Sequence, residues 1–130
     1  MKGALALGVA ALLSACATTG AGTAPTPQWL VGSWLMMDPG ERNLVACASF
    51  APIGYEADGD YVLFDERGTW RLDGDRLTET ATEVDDPQAP GASAIGQPQT
   101  SRIARTGRDS FVKTFASGGR AIFRRCPPPE

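Results

Sequence analysis

The chain has 130 residues, 42% of them hydrophobic, with 15 acidic and 12 basic side chains and no histidine, which bounds it to one small domain. The missing imidazole excludes Ser-His-Asp and Cys-His catalysis and the commonest zinc ligand, and a net charge of −3 argues against a nucleic-acid partner. No glycine-rich phosphate loop follows a strand and opens a helix, and the carboxylates sit in turn-like positions, so binding without a metal or cofactor is expected rather than catalysis.

Met1-Lys2 supplies one positive charge, and residues 3–13 are an unbroken run of Gly, Ala, Leu and Val. Such a run ending in small residues is a secretory signal, too short to span a bilayer. It closes on Leu13-Ser14-Ala15-Cys16, which resembles the bacterial lipobox. The resemblance covers residues 1–16 and implies that 1–15 are removed and that Cys16 is diacylated and becomes the mature N-terminus. At about 0.8 kcal/mol per buried CH₂, several acyl chains hold a protein firmly on a membrane. Ala17 follows Cys16 in place of the Asp that in enteric-type sorting resembles an inner-membrane signal. The outer membrane, with the domain facing the periplasm, is therefore expected, and the inner membrane is the lesser alternative. An ordinary signal peptide with a chance cysteine stays open. Residues 16–28, rich in Ala, Thr, Gly and Pro, form a tether.

The domain is expected over 29–126. Its first strand, WLVGSWLMM (29–37), is apolar on both faces apart from Ser33, so both faces should be covered. Residues 38–40 turn the chain, 44–50 form the second strand with Cys47, and 51–59 are a loop. Residues 60–83 organise the rest as a meander with strands at 61–64, 69–72 and 76–83. Its first break is 65–68. Its second is Asp73-Gly74, a two-residue hairpin signal. Trp70 and Leu72 share one face, and Thr78, Thr80 and Thr82 share another. Residues 84–99 hold three Pro, two Gly and no periodicity, which predicts a functional lid or disorder. Strands at 101–106, 110–115 and 121–126 follow, and the Pro-rich tail 127–130 ends the fold.

Eight short strands with mostly tight turns predict an all-β, up-and-down antiparallel barrel, because closure removes exposed edges. A half-open barrel or a sandwich is the alternative. Gly32-Ser33-Trp34 resembles the Gly-x-Trp signature of lipocalins and related calycins. In that family the Trp closes the barrel base beneath an Arg from the end of the last strand. The resemblance implies a barrel-base pair of Trp34 with Arg124, or with the adjacent Arg125.

With Cys16 taken, Cys47 and Cys126 form an even pair in an oxidising compartment and read as a disulfide from the second strand to the last. Two buried free thiols are the other reading. A bridge closing roughly 80 residues stabilises by about 4–5 kcal/mol in the chain-entropy model. An eight-stranded barrel either fills its interior or holds one small apolar ligand. Trp34, Tyr61, Trp70 and Phe111 are the candidate ligand contacts, against a plain core. Lys113, the only mature lysine, is either a buried base or a lysine snorkelling at the rim. Asp58-Gly59-Asp60 and Asp73-Gly74-Asp75 read as turns rather than calcium loops.

Without Lys2 the mature chain carries 11 bases and 15 acids, with 13 acids in 38–86 and seven bases in 102–130. The two halves either pair across strands or leave a basic face for an acidic partner. The expected function is a membrane-anchored binding module for a small hydrophobic ligand. One alternative is a protein-binding module such as a lysozyme or protease inhibitor, since small periplasmic inhibitors are also disulfide-bearing barrels. Another is a structural envelope lipoprotein.

Overall fold

The computed structural model describes residues 23–129; the leader 1–15 and Cys16 lie outside the described residues. Eight antiparallel strands follow one another: β1 (Gly32–Met37), β2 (Ile53–Tyr55), β3 (Asp60–Leu63), β4 (Glu66–Asp73), β5 (Arg76–Val84), β6 (Gln99–Gly107), β7 (Ser110–Phe115) and β8 (Arg120–Arg125). Each strand pairs with the next, and β1 pairs with β8, so the up-and-down barrel is closed. Alternation places the side chains. On β4, Gly68, Trp70 and Leu72 are buried while Thr69 and Arg71 are exposed.

The elements differ from expectation at several points, each for a local reason. Trp29 and Leu30 are not the start of the first strand but the end of a helical turn, α1 (Pro27–Leu30), which has Pro at its start. Thr26 Oγ1 accepts the Trp29 N–H at 3.2 Å and caps that turn. Residues 44–50 are not the second strand. Val45–Ala48 is a 3-10 turn, and β2 lies inside the expected loop. The apolar residues of that stretch serve another purpose: Leu44, Ala46 and Cys47 pack with Leu35, Met37, Ile122 and Cys126. They thereby cover the outer face of β1, which is how that strand can be apolar on both sides. Cys47 and Cys126 are disulfide-bonded across 79 residues of sequence. The bridge ties this 3-10 turn, rather than a second strand, to the residue just past β8.

The first meander turn is only Phe64-Asp65, and Gly68 sits within β4 instead of in a break. A Cβ at Gly68 would lie 2.5 Å from the Tyr61 ring and 2.2 Å from the Thr80 carbonyl oxygen. The glycine is there to let that ring cross the strand. The second turn is Gly74-Asp75, one residue later than Asp73-Gly74, with Gly74 at φ +61°. Residues 85–98 are folded onto the barrel. They contain a 3-10 turn, Pro90–Ala94, and the Gly96 N–H donates to the Ala81 carbonyl at 2.8 Å. No helix among the described residues is long and apolar enough to cross a membrane.

Candidate ligand site at the barrel mouth

One end of the barrel is shut. Trp34 and Phe111 are fully buried and meet edge to face at 4.8 Å, Trp29 tilts against Trp34 at 5.0 Å, and Phe123 stacks on Phe111 at 4.9 Å. Each Trp N–H has a backbone acceptor: Trp34 donates to Leu30 at 2.8 Å, Trp29 to Arg108 at 3.0 Å and Trp70 to Glu56 at 3.0 Å. The Arg125 guanidinium lies 4.2 Å from the centre of the Trp34 ring. It donates to the carbonyls of Val31 and Trp29 and pairs with Asp109 at 3.0 Å. Gly32, at φ +134°, makes this possible, since a Cβ there would sit 2.8 Å from Arg125 Nη1.

The barrel-base pair is thus Trp34 with Arg125 and not with Arg124, which is exposed. A one-residue step along a strand reverses the face. All four expected ligand contacts, Trp34, Tyr61, Trp70 and Phe111, belong to the buried core, and of the four Tyr61 also borders open space.

That space is a cavity of about 300 Å³ at the other end. Met36, Ile53, Leu63, Ala81, Phe115 and Phe123 give it apolar walls, and Ala94 reaches it from the 3-10 turn of the 85–98 connection. Its polar groups are organised. Lys113 Nζ donates to Glu79 Oε1, and the Tyr55 hydroxyl donates to Glu79 Oε2 at 2.9 Å. The Tyr61 hydroxyl donates to Glu66 Oε2 at 2.7 Å. Burial, then the charge of Glu79, raises the Tyr55 pKa; burial, then the hydrogen bond to Glu66, raises that of Tyr61. Both phenols therefore stay protonated donors at neutral pH. Lys113 is buried and ion-paired rather than snorkelling at the rim.

Around this mouth large apolar side chains face water among the charged ones: Met36, Phe50, Phe64, Ile95 and Phe115. Phe50 and Phe64 are 78% and 70% exposed and meet edge to face at 6.2 Å. Phe64 holds φ +50°, alone among the described non-glycine residues in being positive. A side chain of that size in the left-handed region costs about 1–2 kcal/mol.

Sequence reasoning passed over Glu66 and Glu79. Glu79 had a signal, because it alternates with Leu77 and Ala81 on an expected strand. Glu66 had none while 65–68 read as a break. At the closed end, Glu56, Asp58 and Asp60 bring carboxylate oxygens within 4.8 Å of one another but are all exposed. Asp58 Oδ1 there accepts the Asp60 N–H at 2.9 Å, as in a polar turn. Apolar walls with a few fixed polar groups suit a small molecule that has an apolar body and one polar end. No family model, curated protein or solved structure matches this chain, so function has to be argued from the site itself.

Proposed function

We propose that this protein is a non-enzymatic binding module that takes a small, largely apolar molecule into the mouth of its barrel. It does so as a lipoprotein anchored through Cys16, on the periplasmic face of the outer membrane. The observation that carries the ligand reading is the apolar cavity of about 300 Å³ opening where Met36, Phe50, Phe64, Ile95 and Phe115 are exposed. Such a volume lies at the low end of ligand sites. An exposed apolar rim costs a water-facing domain solubility and marks an interaction site.

Calorimetric titration with octan-1-ol tests it, using Ala94→Trp to plug the mouth from the connection above. Saturable binding is expected, weakened at least tenfold by the plug; no saturation, or equal affinity in the variant, contradicts the reading. For the anchor, Cys16→Ser should abolish labelling by a fatty-acid analogue in the membrane fraction, and equal labelling would sink it.

A second reading has an observation of its own. Phe50 and Phe64 form a paired aromatic wedge on a strained turn, the kind of anchor a protein partner would bury at an interface centre. A hydrolase partner would place this protein among inhibitors.

A further inference from the structure

We infer that the mouth selects a protonated amine carried on a short apolar body, and discriminates against a carboxylate of the same length. This rests on the ligand reading above and names the chemistry of its polar end. Three charged side chains line the cavity: Glu66, Glu79 and Lys113. Two carboxylates against one ammonium leave one negative charge in excess.

The hydrogen bonds locate that excess. Glu79 is satisfied on both oxygens, by Lys113 and by the Tyr55 hydroxyl. Glu66 is satisfied on one: Oε2 takes the Tyr61 proton, and among the described residues Oε1 accepts nothing. The Tyr61 ring is seated against Gly68, with its hydroxyl on Glu66 Oε2. A half-satisfied carboxylate therefore faces a recess with apolar walls, where a charge-assisted hydrogen bond is stronger than in water.

An incoming anion would meet the opposite conditions. Its natural counter-ion would be Lys113, whose side chain is 9% exposed and already paired with Glu79. Recruiting that ammonium would strand a buried carboxylate, which is strongly unfavourable. The surroundings act in the same direction. Connections at this end carry Asp38, Glu41, Asp65, Asp85 and Asp86 against Arg42, so the field over the mouth attracts cations.

Octylammonium, octan-1-ol and octanoate, titrated separately by calorimetry at one ionic strength, isolate the head group from the chain. Octylammonium should bind at least tenfold more tightly than octan-1-ol, the range of one hydrogen bond to a charged group, and octanoate more weakly than either. Glu66→Gln should bring octylammonium to within about threefold of octan-1-ol. Added salt should weaken octylammonium alone in the unsubstituted protein, which keeps the test sound if the variant folds poorly. Equal affinity for all three, or tighter octanoate, overturns the amine preference while the ligand reading stands. No binding of any of the three removes both.

Discussion

The closed end and the open end of this barrel share the same eight strands and the same inward alternation, yet they spend their polar and apolar groups in opposite ways. At the closed end, aromatic rings fill the interior. The polar atoms among them, the three indole N–H groups and the Arg125 guanidinium, are taken up largely by backbone carbonyls. At the open end the interior holds a Lys113–Glu79 ion pair and a Tyr61–Glu66 hydrogen bond, while Phe50 and Phe64 stand in water. A buried ion pair is weak evidence for stability, since desolvation offsets much of its attraction. Exposed phenylalanines contribute nothing to a core either. The first arrangement accounts for why the chain folds; the second is the one on which the proposed binding rests.

Substitutions can break that contrast or sharpen it. The largest effect is expected at the staple beside the closed end. Cys126→Ser should lower stability by about 2–5 kcal/mol, read by denaturant unfolding, because the Cys47–Cys126 bridge closes a long loop. A change under 1 kcal/mol would mean that packing alone holds the 3-10 turn on β1. Next comes the pair Arg125→Met and Arg124→Met. The first removes the cation over Trp34 and two donors to carbonyls and should cost about 1–3 kcal/mol. The second, on the exposed face, should fall within about 0.5 kcal/mol of zero. Equal losses would contradict the assignment of Arg125 to the base.

The smallest effect has the reverse sign. Phe64→Asn puts a residue that tolerates φ +50° where a bulky one is strained. It should raise stability by about 0.5–1 kcal/mol and weaken octan-1-ol binding at the mouth. A destabilised variant with unchanged binding would show that the rim serves the fold after all.

Most of the barrel was legible because alternation survives in residues 60–83 and the turns between strands are short. β2 was not, since three residues, Ile53–Tyr55, are too few to display a period. The apolar run at 44–50 imitated a strand because a segment that covers the outside of β1 needs apolar residues just as a strand does. Gly68 read as a turn because glycine usually signals backbone freedom, whereas here it signals the absence of a Cβ under a ring. The cavity was hidden for a more general reason. Alternation says which side chains point inward but not how far along the barrel axis they lie. Trp34 and Met36 share the inner face of β1, two residues apart; one is sealed in the core, and the other is 62% exposed beside the cavity. That depth is set by register and by which connections fold over each end. Neither can be read from a strand by itself.

Amide chemical-shift mapping during an octan-1-ol titration tests the division between a filled base and a binding mouth most directly. Saturable shifts should concentrate at Leu63, Ala81, Ala94 and Phe115, around the cavity, and leave Leu77, Ile103 and Phe111, sealed in the core, unmoved. Shifts centred on that sealed set, or none that saturate, would contradict it.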